Sequence, residues 1–289
     1  MKRKCVLFLS FLLISIAHNS FAQRVQKRAT SPSGLNDFLD KQLFIGIRGG
    51  MTLAKALPTE RYSVFSSTTG NSSRYDKNYH NFSSPGPVAG IDITYKYLGL
   101  SVSLQPNYRR YRFIYENDYV WRDSTGEWSL ELNYRQGNHL DYIEIPVFVR
   151  YEFLQGALKP FIQAGLTYGY LFSAGKSVYI SGQDAASGGQ SFDAAPVSEN
   201  ARELFIKSQL GYAAGAGLSW DIGNIRLVFD VVYRRNTHII TNREQRFTHN
   251  RLAGSGDAMD DIKLRSFTFS IGCLFPTRFL NAQYYKTSK

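Results

Sequence analysis

The chain has 289 residues, 43% of them hydrophobic and only 20% charged, with 19 Tyr and 20 Phe. Its formal charge is +11, from 34 Lys and Arg against 23 Asp and Glu. A basic balance can mark a nucleic-acid binder, but the N-terminus argues for export, and past it no apolar window is long enough for a helical membrane span.

Lys2, Arg3 and Lys4 form a positive start, Val6 to Ala17 an apolar run, and Ser20-Phe21-Ala22 a small-residue cleavage site before Gln23. Residues 1–22 are therefore expected to be a signal peptide, its apolar run too short to anchor. Cys5 lies before the apolar run, away from the cleavage point, so lipoprotein processing is not expected. Cleavage removes three basic residues and no acid, leaving 31 against 23, a net +8. Cys273 is then the sole cysteine, which leaves neither an intramolecular disulfide nor a cysteine metal cluster. Residues 23–42 are polar, with Pro32 and Gly34, and read as a periplasmic extension.

From residue 43 onward, period-2 alternation recurs in runs rich in Tyr, Phe, Val and Ile. It predicts strands over roughly 43–52, 87–97, 99–115, 139–153, 159–173, 204–220, 225–236 and 263–275. The connections alternate. Residues 53–86, 116–138, 174–203 and 237–262 are long, whereas Leu98-Gly99, 154–158 and 221–224 are short. A compact soluble domain rarely carries four long structureless loops. Outer-membrane barrels pair short periplasmic turns with long extracellular loops and an even strand number. The expected fold is all-β: an eight-stranded antiparallel transmembrane outer-membrane β-barrel over residues 43–275, followed by a C-terminal tail over 276–289.

The two faces of the strands differ. Ile143, Ile145, Val147, Val149 and Tyr151 alternate with Tyr142, Glu144, Phe148 and Arg150; Phe267, Phe269, Ile271, Cys273 and Phe275 alternate with Ser266, Thr268, Ser270 and Gly272. A soluble lipocalin-like or sandwich protein would alternate too, but this apolar face is too bulky for an eight-stranded interior and fits lipid outside. Gly165, Gly169, Gly211, Gly215 and Gly217 on the inner face would relieve crowding in the lumen. Tyr95, Tyr97, Tyr151, Tyr168, Tyr170, Tyr212 and Trp220 suit interfacial girdles.

DYIEIPVFVRY at 141–151 and KPFIQAGLTYGYLFSA at 159–174 resemble the outer-membrane β-barrel family of Bacteroidota that includes the PorT-like proteins. The matching positions are Tyr142, Ile143, Glu144, Ile145, Pro146, Arg150, Tyr151, Lys159, Pro160 and Phe161. The resemblance implies the barrel fold and, for some members, an accessory role in type IX secretion or gliding; it implies no catalytic residue. One departure is the tail PTRFLNAQYYKTSK after Phe275, since many such barrels finish on an aromatic residue. The closing strand either ends internally or runs further.

Inward candidates for a lumen charge network are Arg48, Asp92, Lys96, Glu144, Arg150, Lys207, Arg226, Asp230 and Arg234. Buried charges must be paired or solvated, so mixed signs predict internal salt bridges. Pro146 removes a ladder donor and is a candidate bulge. A lipid-modifying enzyme would need a nucleophile and base at the rim, and His139 near Asp141 is the nearest approach to one; His80, His238 and His249 complete the mature histidines. Asp257, Asp260 and Asp261 in GSGDAMDD are a weak calcium candidate without EF-hand spacing, or simply an acidic exposed loop. Arg234, Arg235, Arg243, Arg246 and Arg251 are candidates for lipopolysaccharide phosphates, or a solvated loop.

The sequence thus predicts a non-enzymatic structural or docking subunit of an envelope assembly. The alternatives are a narrow porin-like channel and a lipid-modifying enzyme. No cofactor or metal is expected. The expected partners are outer-membrane lipid, lipopolysaccharide and other envelope proteins, with no nucleic acid.

Overall fold

A computed structural model describes residues 41–62, 77–122, 128–154, 156–185, 188–222, 224–246 and 259–277. The expected signal peptide, the extension up to residue 40, Asp257 and the tail from residue 278 lie outside the described residues. The strands are β1 (Lys41–Glu60), β2 (Asn78–Tyr79), β3 (Pro85–Tyr97), β4 (Leu100–Leu104), β5 (Asn107–Arg122), β6 (Trp128–Glu152), β7 (Leu158–Asp184), β8 (Gln190–Asp193), β9 (Val197–Asn200), β10 (Ser208–Ile222), β11 (Ile225–Asn236) and β12 (Asp261–Pro276).

All pairings are antiparallel, and β1 closes the ring by pairing β3 on one side and β12 on the other. The ring has eight members because β4 and β5 are one strand interrupted at Gln105–Pro106, with β6 beside both pieces in an unbroken register. Pro106 has no N–H to offer the ladder, yet its carbonyl still accepts from Ile91 at 2.9 Å. β12 ends at Pro276, so the closing strand ends internally rather than running on.

Alternation dictates which way each side chain points. On β6, Ile143, Ile145, Val147, Val149 and Tyr151 are 42–50% exposed, whereas Tyr142, Glu144, Phe148 and Arg150 are buried. The same inversion holds around the ring, with Ile47, Leu166, Leu210, Val231 and Ile271 outside. Such a surface is stable in hydrocarbon, not water. From Ile143 to Tyr151 the band runs about 26 Å along the strand, nine residues, the length a tilted strand needs to cross a bilayer core. Tyr95, Tyr97, Tyr151 and Trp220 lie exposed toward the short-turn end, and Tyr168, Tyr170 and Tyr212 toward the other.

Three expectations need correcting. Residues 116–138 and the start of 174–203 are not loops, because β5, β6 and β7 continue far past the apolar band. The sequence hid this since both faces there are polar; Tyr115 and Tyr134 donate to Gln136 Oε1 at 2.8 and 2.7 Å in place of an apolar face. Pro146 marks no bulge, as its register is unbroken; the shift falls between Asp141 and Tyr142, where Phe172 of β7 is the extra residue. The inner-face glycines do not serve lumen space alone: at Gly169 a Cβ would meet the inward Gln209 and Glu144 side chains, but at Gly165 and Gly215 it would also sit 1.9 and 2.3 Å from the carbonyl oxygens of Val147 and Val231 on neighbouring strands.

Above the apolar band the mouth is filled by a hydrophobic core. Ala54, Tyr111, Phe113, Leu140, Tyr142 and Leu171 from the strands pack with Leu204, Phe205, Ile240 and Met259 from the connections. The core sits inside the ring at its extracellular end, over a lumen of charged residues.

Candidate functional site: the lumen and its extracellular cap

The inward charges form three tiers. Nearest the periplasmic turns, Lys96 Nζ meets Glu152 at 2.9 Å and Arg226 Nη1 meets its other oxygen at 3.0 Å. Arg226 also grips Asp221 through two nitrogens at 2.6 and 2.9 Å, and Lys159 reaches the same carboxylate at 2.7 Å. In the middle tier, Arg48 lies 3.1 Å from Asp230 and 3.3 Å from Asp92, and donates to Gln105 at 2.7 Å. Ser270 and Gln163 also donate to Asp230. Arg150 donates to Gln163 at 3.2 Å and stacks over Phe161.

The upper tier centres on Glu144. Arg109 approaches one of its oxygens at 2.8 Å and Arg234 the same oxygen at 3.1 Å, while Tyr111 and Gln209 donate to the other. All of these charges but the partly exposed Asp221 are taken from water; Asp92, Asp230 and Glu144 are met by cations and neutral donors together, and Glu152 and Asp221 by two cations each, the condition under which burial is tolerable. The tiers place side chains across a ring of eight strands, whose interior is about wide enough to be filled by them.

The cap adds a second polar cluster. Asp260 accepts from Lys77 at 3.2 Å, the Tyr79 hydroxyl at 2.8 Å and the Tyr62 backbone N–H at 2.8 Å. Asp261 accepts from Arg246 at 2.5 Å and Arg243 at 2.7 Å. Arg246 also lies over the Tyr62 ring at 3.4 Å. At the surface of this cluster, the hydrogen bond to Glu60 holds the Tyr62 hydroxyl above its ordinary pKa.

Of the expected network residues, Arg48, Asp92, Lys96, Glu144, Arg150, Arg226, Asp230 and Arg234 all line the lumen. Lys207 does not. It is exposed in a bend before β10, because 202–204 form a 3₁₀ turn and β10 begins only at Ser208. The motif residues divide by strand parity: Tyr142, Glu144, Pro146 and Arg150 point inward, Tyr151 faces lipid, Lys159 pairs with Asp221, and Pro160 is partly buried. Arg109, Glu152, Asp221, Gln105 and Gln163 complete the tiers and were missed. Arg109 was concealed because it shares its face with Tyr111, Phe113 and Tyr115, which imitate a lipid-facing run.

Asp260 and Asp261 do not form an acidic exposed loop, since both are fully buried with their oxygens held by the protein's own cations. Among the described residues no group of carboxylates, histidines or cysteines has metal-site geometry. Of the arginines proposed for phosphate, Arg234 is in the lumen, Arg246 and Arg243 are on Asp261, and Arg251 lies outside the described residues. His139 points outward beside Gly175, and Asp141 is engaged by Arg110 at 2.6 and 2.9 Å and by Tyr108 at 2.9 Å rather than orienting the imidazole.

The outer membrane protein beta-barrel domain matches residues 21–238 of the chain. The chain belongs to that family. Family and fold together place the protein in the cell outer membrane. The match does not single out the PorT-like proteins. No curated protein matches the chain. Among solved structures, it is similar to Neisserial surface protein A, with 15% identity, 79% of this chain and 95% of that one covered, and a TM-score of 0.33. It is also similar to OprG from Pseudomonas aeruginosa (13%, 83% and 97%, 0.36) and the outer membrane protease OmpT from Escherichia coli (11%, 82% and 97%, 0.36).

Proposed function

We propose that this outer-membrane barrel is a non-enzymatic docking subunit of an envelope assembly, working from its outside rather than through its lumen. The observation that carries the reading is the filling of the ring: three tiers of paired charge, then a hydrophobic core across the extracellular mouth. Such filling supports docking over a porin-like bore. What the molecule offers instead is surface. β6 begins at Trp128, which puts about 50 Å of strand ahead of Ile143 at the usual rise. The PorT-like resemblance of the 141–151 and 159–174 segments makes a secretion or gliding assembly the first candidate.

The test is extraction of the native protein from its outer membrane in mild detergent, with mass spectrometry of the chains that copurify. A stoichiometric partner, lost when the β5–β6 hairpin is shortened below the cap, is the expected result. A barrel that purifies alone in every mild detergent would remove the docking reading.

A further inference from the structure

The outward face at the extracellular edge is not uniform. On the β5–β6 side most cations have acidic partners: Arg110 grips Asp141 at 2.6 and 2.9 Å, and Glu116 receives Arg135 at 3.3 Å and His80 at 3.0 Å, while Arg112 meets no carboxylate among the described residues and donates to the Pro85 carbonyl. On the opposite side, β11, β12 and β1 bring three cations into one cross-strand row. Arg235 pairs in register with Arg265, and Arg265 with Lys55. All three belong to the outward parity of their strands, with Arg234, Leu264 and Ala54 beside them pointing inward. Like charges directly opposed across strands repel, and among the described residues none of the three meets a carboxylate. Among the described residues, the Nε of Arg265 is buried without a hydrogen-bond partner. Lys263 adds a fourth outward cation two residues further from the membrane.

The row lies two residues beyond an apolar shelf. Tyr233 and Phe267 pair across β11 and β12 with ring centroids 5.2 Å apart, Phe82 packs on Phe267 at 5.4 Å, and Leu53 faces Phe267 from β1. Tyr212 pairs with Arg235 and stands exposed at the end of the cation row. Two residues of strand are about 7 Å, the distance from the top of the acyl layer into the head groups. Acyl-chain shelf below and unneutralised cations above match a lipid that carries anionic groups at its head. We propose that the outward face of Tyr212, Arg235, Arg265 and Lys55 binds a phosphorylated glycolipid head group of the outer leaflet, its acyl chains lying on Leu53, Phe82, Tyr233 and Phe267. Arginine suits this task because its planar fork meets two phosphate oxygens at once. The site is independent of whether the barrel docks a protein partner.

The test uses the full-length barrel, stripped of lipid in detergent and titrated with bisphosphorylated lipid A or with the same glycolipid freed of its phosphates, bound lipid being counted by native mass spectrometry. The phosphorylated form is expected to bind in fixed stoichiometry, and removal of its phosphates to weaken binding by on the order of tenfold or more. Replacing Lys55, Arg235 and Arg265 together by Gln should weaken it comparably, while Arg135→Gln on the opposite face should not. Heat-modifiable gel mobility verifies that each variant is folded, and the dephosphorylated lipid tests the site without any variant. Millimolar inorganic phosphate should leave the complex intact. Equal binding of the phosphate-free lipid, unchanged binding by a folded triple variant, or displacement by inorganic phosphate would overturn the proposal.

Discussion

Glu144 meets four side chains at once, Arg109, Arg234, Tyr111 and Gln209, and its neutralisation would leave two buried guanidiniums without their carboxylate. Glu144→Gln is expected to destabilise the folded barrel by about 3–5 kcal/mol, the usual cost of breaking a buried pair from one side. Urea unfolding followed by gel mobility reads it. Arg150→Met should cost less than half as much, because Arg150 has no carboxylate within ion-pair distance among the described residues and its guanidinium rests on Phe161. Parity explains why much of this was legible. Glu144 and Arg150 are charged residues on the minority face of an otherwise apolar strand, so period 2 alone assigns them inward. Lys207 failed because it stands before the strand begins, where parity has no meaning. Glu152 was invisible as a partner because pairing across the ring depends on strand tilt, which no single strand encodes; Asp221 was missed because it was read as part of the 221–224 turn, whereas β10 runs to Ile222 and sets it opposite Arg226.

At the scale of the element, β7 carries the longest consequence. Below Phe172 its inward residues are odd-numbered, among them Phe161, Gln163, Thr167 and Leu171. Above it they are even-numbered: Ala174, Lys176 and Val178. One extra residue therefore changes which set of side chains faces the core, as a one-residue shift must. Deleting Phe172 should remove the bulge and leave Lys176 facing inward, because Leu171 opposite Tyr142 would then be followed directly by Ser173 opposite Asp141. Limited trypsin digestion of the folded protein tests this: Lys176 should resist cleavage in the native chain and the variant alike, and cleavage in the variant would contradict the register. The bulge was not legible, because Leu171, Phe172 and Ser173 form an ordinary strand sequence and only the partner register defines the extra residue. The polar upper halves of β5 to β7 were hidden for a related reason, their inward face being built from Tyr, Gln and Asn rather than aliphatics.

For the whole molecule, ring closure follows from apolar outer faces, short turns at one end and long connections at the other, all of which are present in the chain itself. The cap is a different matter. Asp260 and Asp261 look like a solvated acidic turn until Lys77, Tyr79, Arg243 and Arg246 arrive from distant segments to neutralise them. Because those carboxylates are already satisfied, calcium addition followed by chelation should leave thermal unfolding unchanged, whereas Arg246→Gln should lower it by about 3–5 kcal/mol of stability. The filled lumen and sealed mouth together make the strongest demand on experiment: a folded barrel through which ions do not pass. The direct measurement is conductance of the purified full-length protein in planar lipid bilayers across both voltage polarities. Silence from protein shown to be folded and inserted is the predicted result. Stepwise, sustained ion currents from wild-type protein would contradict the closed barrel and return the lumen to the centre of its function.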